Sequence, residues 1–473
     1  MNTEKINTFI DTHRDHHFEN LKKMLLQPSV SPQNIGIQDC AELLAKFYEE
    51  LHCEAEIFET KGNPVVYGKY DQGYDKTLLA YFMYDTQPFD EPGWSHPPME
   101  AILAPLDLPS GRVTALFNRG ATNTKGPMMT FLNAIESIQE TEGLPFNLLL
   151  VAEGEEELGS PHLPDFVEAK KEELQKADAA IFPFFLQDTK GKVELYLGVK
   201  GIIYFELECS GKSWGRGPTE FGIHGSNKAW VDSPAWRLID ALSTLTKDNG
   251  NTVTVDHFYD DVSEPSPEDD ALIKELVKTF DSEPFKQTVK VDKFVVDERD
   301  TETLIRKLLY TSTLNINGIW GGYVGEGSKT LLPHKVTAKI DIRLVPNQKR
   351  DPMLPRVREH LDKKGYPDIT IRVLDKGYPW SKVSVNEPVV QAMIRTCQSF
   401  GYEPEVWPHL AGSAPFYLFS DVLKIPYIMG ALGHGARAHS PDEYIVYEGN
   451  GKVMGLDGAQ KSLVAFINEW LKS

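Results

Sequence analysis

Apolar runs of strand length alternate with helix-period segments through the first part of the chain. "KTLLAYFMY" reads as a buried strand feeding a long loop, "GPMMTFLNAIESIQE" as a helix, and "FNLLLVAEGEEE" as a strand running into a carboxylate cluster. "ADAAIFPFF" is another strand, and "IPYIMGAL" near the C-terminus precedes the loop "GHGARAHSPDE". Strand–helix alternation of this kind predicts an α/β domain with a mostly parallel sheet. Ligands of such sheets bind at loops beyond the carboxyl ends of the strands. The loops "YDTQPFDE", "EGEEELGS" and "RAHSPDE" all fall at such ends.

The middle of the chain has a different pattern. Strands such as "IIYFELECS" and "KVTAKIDIRLVP" flank helices such as "SPAWRLIDALSTL". This predicts a smaller α+β domain at 203–374, inserted into a first domain made of 1–202 and 375–473. The N-terminal stretch reads as an amphipathic helix rather than a secretory signal, and "DDVSEPSPEDDALIKELVKTF" as a solvated loop and helix.

Composition narrows the class without naming a function. A chain of 473 residues is too long for one compact core. The formal charge of −20 disfavours nucleic acid, whose phosphates need basic patches. No apolar run approaches the roughly 20 residues that span a bilayer, so no membrane partner is expected. Cys40, Cys53, Cys209 and Cys397 are scattered, which fits a reducing cytoplasm and argues against a structural zinc site.

Three segments carry chemistry. In "LLLVAEGEEELGS", the acids Glu155, Glu156 and Glu157 follow a buried strand, bracketed by Gly154 and Gly159. They read either as a solvated helix start or as adjacent carboxylates dividing the work of general base and metal ligand. "FNRGATNTKGPMM" opens a helix through Arg119–Gly120 and Lys125–Gly126, with a glycine spacing that matches no phosphate-cradling P-loop. The third, "RAHSPDEYI", places His439 on a loop.

Together with "YDTQPFDEPGWSHPP", "GIHGSNKAWVDSPAWRL", "NINGIWGGYVGEGSKTLLPHKVTAKIDIRLVPNQ" and "AGSAPFYLF", these segments resemble the di-zinc peptidases and deacylases. That family is typified by carnosinase, glutamate carboxypeptidase, aminoacylase and succinyl-diaminopimelate desuccinylase, and the resemblance is strongest to its carnosinase-like branch. It implies a zinc-peptidase-like α/β catalytic domain, a lid domain that also makes a homodimer, and a small amide or short peptide as substrate. "AGSAPFYLF" is expected to return to the catalytic domain.

The resemblance also marks positions. Glu156 matches the general base, Glu157 and His439 match metal ligands, and Asp85 matches the acid that orients a ligand histidine. That histidine's place holds Met83, the bridging aspartate's place holds Asn123, and a fifth, acidic position holds Phe184. His224 matches a lid histidine that stabilises the oxyanion, Arg343 a carboxylate clamp, and Thr330 and Ser413 the pocket lining, with Asn123 counted beside them in holding substrate. A thioether suits zinc poorly, an amide cannot bridge two cations and a phenyl ring offers nothing.

The expectation is therefore a cytoplasmic, amide-directed hydrolase with no cofactor, or at most one weakly bound zinc on Glu157 and His439. Without zinc, mutual repulsion should raise the pKa of one of the paired glutamates. Two alternatives stay open: another acid–base reaction in the same pocket (transfer, cyclisation or elimination), or a non-catalytic ligand binder.

Overall fold

The computed structural model describes residues 1–297 and 299–473, and of these all side chains except those of 284, 287–289, 375 and 376. The chain opens with helices α1 (Thr3–Thr12), α2 (Arg14–Leu26) and α3 (Ile37–Glu50). The single N-terminal helix expected from the pattern is thus two, separated at His13, whose backbone leaves the helical region. Then come β1 (Glu54–Phe58), β2 (Val65–Tyr70), β3 (Thr77–Met83), β4 (Ile102–Leu108) and β5 (Gly111–Phe117). Helix α4 (Gly126–Glu142), β6 (Asn147–Glu153) and β7 (Ala179–Phe185) follow. Near the C-terminus lie β8 (Tyr427–Ala431), β9 (Gly435–Ala436), β10 (Tyr444–Glu448) and α5 (Leu456–Leu471).

These elements build a six-stranded sheet in the order β1-β2-β6-β3-β7-β8. Strands β6, β3, β7 and β8 run parallel, while β1 and β2 are antiparallel additions. Every residue of β3 and β6 is buried, which is why both read as unbroken apolar runs. Helix α4 packs against β7, α1, α2 and α5. A second sheet, β9-β10-β5-β4, is antiparallel. Because β3, β6 and β7 point the same way, residues 83–87, 153–160 and 184–187 emerge together at their carboxyl ends.

Chain contacts divide the molecule into two units: Met1–Leu197 with Lys382–Pro408 and Leu418–Ser473, and Gly198–Ser381 with His409–Tyr417. Most of "AGSAPFYLF" therefore groups with the second unit rather than the first. Backbone contacts explain this: Leu410 bridges Val199, and the amide of Lys200 donates to the Gly412 carbonyl at 2.9 Å. The second unit has an antiparallel sheet in the order 313–321, 335–344, 201–210, 370–378. Leu238 and Leu242 of helix Pro234–Ser243 and Val357 and Leu361 of helix Met353–Lys363 share a core with Phe205, Leu207, Ile340 and Ile342 of the strands. The acidic segment also contains a helix, Pro267–Thr279, started by a reciprocal cap between Ser266 and Asp269.

Among the described residues no helix is long and apolar enough to cross a membrane. All four cysteines are buried and unbridged.

Candidate active site

The three consecutive acids have three different fates. After β6 the chain makes a single 3-10 turn, Glu156–Leu158, closed by Gly159 in the left-handed region that glycine adopts freely. Glu155 turns away: its carboxylate accepts from the Asn63 amide at 2.9 Å and pairs with His162 Nδ1 at 2.7 Å. Glu157 turns inward and its side chain is only 3% exposed. Its Oε2 accepts from Gln87 Nε2 at 2.8 Å, and its Oε1 accepts from Asn123 Nδ2 at 2.7 Å. Glu156 is half-buried, and its carboxyl has no hydrogen-bond partner among the described residues.

Asp85 lies beneath this turn rather than at its surface. It is fully buried, accepts from the Ser31 hydroxyl at 2.6 Å, and receives the backbone amides of Glu156 at 3.2 Å and Glu157 at 3.1 Å. Counted with Glu156 and His224 as a catalytic position by the family resemblance, it is held here by contacts that fix the turn carrying Glu156 and Glu157. Burial pushes its carboxyl up to about 7, although the Ser31 hydroxyl and the two amides pull the other way.

Burial also raises Glu156 well above the ordinary carboxylate range, with Glu157 the next contributor. Repulsion between the paired acids, the cause expected from their adjacency, thus comes second to desolvation. His439 is raised chiefly by its contact with Glu157, Nε2 to Oε1 at 3.0 Å, and its backbone is held in the left-handed region at φ 60°.

Asn123 connects these groups. Besides its bond to Glu157, its Nδ2 lies 2.9 Å from His439 Nε2. The turn that carries it, residues 120–125, is held by Glu443, which accepts from the amides of Gly120, Thr122 and Asn123 and pairs with Arg119 at 2.8 Å. The buried Arg119 guanidinium also pairs with Glu91 and lies over the Trp94 ring at 5.0 Å. The peptide bond between Asn123 and Thr124 is cis. Thr124 donates to the Met83 carbonyl at 3.0 Å, tying this turn to the end of β3.

The other half of the site is apolar. Met83 ends β3, is 3% exposed, and stands in register with Glu153 of β6. Phe184 is half-buried near the end of β7 and stacks on Phe182, with ring centroids 6.3 Å apart. Phe182 in turn lies 5.5 Å from the ring of Tyr81, two residues before Met83 on the same face of β3. The Tyr81 hydroxyl and the Ser160 hydroxyl both donate to Glu153 Oε1, while Glu153 Oε2 has no partner among the described residues. Burial pushes Glu153 up to about 8.

The family resemblance puts a zinc pair at these positions. One position would hold a thioether, an amide and a phenyl ring; the other, an amide, one carboxylate and one imidazole. Among the described residues no three His, Cys, Asp or Glu side chains are grouped so as to hold a metal ion.

The remaining expected residues belong to the second unit, where they form two pairs. His224 is exposed; its Nε2 meets the Thr330 hydroxyl at 2.9 Å and its Nδ1 the Ser226 hydroxyl at 2.7 Å. Arg343 donates to the Ser413 hydroxyl at 3.1 Å and lies 3.3 Å from Asp341. Sequence reasoning passed over Gln87, Ser31 and Glu443. The first and last sit inside the very loops it singled out, so their place at strand ends was the available signal.

Residues 81–453 match the family described as Peptidase family M20/M25/M40. The Cys-Gly metallodipeptidase dug1 of Schizosaccharomyces pombe is 31% identical over 381 residues, covering 77% of this chain and 76% of that protein. The Beta-Ala-His dipeptidase of Rattus norvegicus is 24% identical over 478 residues, covering 93% and 91%. The crystal structure of an M20 family metallo-carboxypeptidase from Sulfolobus solfataricus superposes with a TM-score of 0.86 at 34% identity, covering 97% of this chain and 99% of that one. The strand-end loops thus carry a known peptidase architecture with altered side chains, and the chain belongs to peptidase family M20/M25/M40.

Proposed function

We propose that this chain acts on a small amide, dipeptide-like or N-acyl amino acid, without a metal pair. The observation that carries the reading is Asn123 Nδ2, which donates to Glu157 at 2.7 Å and lies 2.9 Å from His439. Two carboxylates there would need a cation between them; an amide N–H bonds to the carboxylate directly. Asn123 Nδ2 and His439 Nε2 converge on the same Glu157 oxygen, where a shared cation would otherwise sit. The dipeptidase relatives support the substrate class.

Glu156, with no partner of its own, is the group left to move protons. Its carboxyl protonates the leaving nitrogen as water adds to the amide carbon, and the resulting carboxylate takes up the proton that the water releases. Within the second unit, Arg343 beside Ser413 offers a guanidinium fork suited to gripping a carboxylate, and His224 pairs with Thr330.

The deciding experiment measures metal content and turnover of dipeptides and N-acyl amino acids on the same preparation, with and without chelator. Chelator-resistant turnover that Glu156→Gln abolishes is expected. Two tightly bound metal ions per chain, required for turnover, would overturn the reading. Turnover of none of these amides would return the choice to another acid–base reaction or to a pure binder.

The same reading includes a homodimer in the cytoplasm. Trp236 (60% exposed) on helix Pro234–Ser243 and Ile319 (51%) on strand Thr313–Gly321 offer the second unit apolar area for a second copy. The four unbridged cysteines fit a reducing compartment. Sedimentation of the pure protein at the monomer mass would remove the dimer.

A further inference from the structure

We infer that the apolar half of the site is a binding wall for an apolar group of the substrate, so that this chain selects amides bearing a hydrophobic acyl or side-chain group. The inference rests on the proposed reading of the site as one that holds a small amide, and adds which amides.

The wall stands at the carboxyl ends of parallel strands, where ligands of such sheets sit. Met83 closes β3 and Phe184 lies next to the end of β7, strands that are hydrogen-bonded neighbours. The turn carrying Asn123 packs against both β3 and β7, so the wall adjoins the polar group of Asn123, Glu157 and His439. Phe182 and Phe184 stay half-buried although the rest of β7 is buried. Each therefore keeps part of its surface uncovered. Their stacking on each other, and the contact of Phe182 with Tyr81, hold the rings in fixed positions.

A wall so composed rewards apolar contact and little else. Met83 is 3% exposed, so the area a ligand would meet comes from Phe182 and Phe184. Each methylene buried against it should tighten binding about two- to fourfold. An ionic group placed there would lose its hydration without gaining a partner.

Two ligand series test this on the full chain by calorimetry: N-acyl-glycines from acetyl to hexanoyl and phenylacetyl, and N-acetyl amino acids from Gly through Ala to Leu and Phe. Affinity should rise with apolar size in at least one series, by about tenfold or more from end to end. Phe184→Asp should remove that dependence, and Phe184→Leu should keep it. Binding that ignores apolar size in both series overturns the wall, as does an unchanged dependence in Phe184→Asp. Where Phe184→Asp does not fold, Phe184→Ser takes its place with the same expectation. Turnover followed in parallel separates the two readings: amides still hydrolysed without any size dependence sink only the wall, whereas no binding and no turnover of any member sinks both.

Discussion

The two halves of the site sit on the same strand ends and solve opposite problems. The polar half, Glu157 with Asn123, Gln87 and His439, is a network in which each group depends on the others for its hydrogen bonds. The apolar half, Met83 with Phe182 and Phe184, depends on shape and area. The difference teaches that neighbouring strand ends of one sheet can carry opposite kinds of chemistry: one half holds its groups by a shared donor, the other by hydrocarbon contact.

The sharpest way to break the contrast is Asn123→Asp. It replaces the donor to Glu157 with a second carboxylate and should cost about 3 kcal/mol of stability, with the melting temperature as readout. If excess zinc raised the melting temperature of the unaltered chain, the polar half would still be a cation site and the comparison would fail.

Glu153 lies at the seam, in register with Met83 and bonded by Tyr81. Its carboxyl stands at about 8 in the fold against an ordinary 4.5. A raised acid keeps its full contribution below about pH 4.5 and loses it as pH rises through 8, because the unfolded chain ionises first. Glu153→Gln should therefore be near neutral at pH 5 and stabilising by about 1–3 kcal/mol at pH 8.5. Denaturant midpoints at the two pH values decide it; an equal shift at both would show that Glu153 is not held neutral.

Gln87→Ala should cost about 1 kcal/mol, the worth of one hydrogen bond to a buried carboxylate, seen as a lower denaturant midpoint at unchanged slope. Met83→Leu should change stability least, by less than about 1 kcal/mol, because volume is kept and the wall asks only for an apolar filler. A loss as large as that of Asn123→Asp would mean that the thioether has a polar task and would erase the distinction between the halves.

Much of this arrangement is written locally in the chain. "TLLAYFM" and "NLLLVAE" announce buried parallel strands because both of their faces are covered, and the loops that follow inherit the site by topology. What stays hidden is pairing at a distance. That Asp85 caps the amides of 156 and 157, or that Glu443 holds residues 120–123, depends on groups 71 and about 320 positions apart. The main cause of the Glu156 shift is hidden for the same reason, since burial is a property of the fold and adjacency a property of the chain. The affiliation of residues 411–417 turned on backbone bonds to Val199 and Lys200, which no composition signals.

Asp85 and Glu443 spend their oxygens on backbone amides, and neither depends on the chemical nature of Met83, the Asn123 side chain or Phe184. The scaffold of the site is thereby decoupled from its contents. Such a frame is open to rewriting in either direction by side-chain exchange alone, and a laboratory could walk the three positions back toward histidine and aspartate one at a time while the loops keep their course.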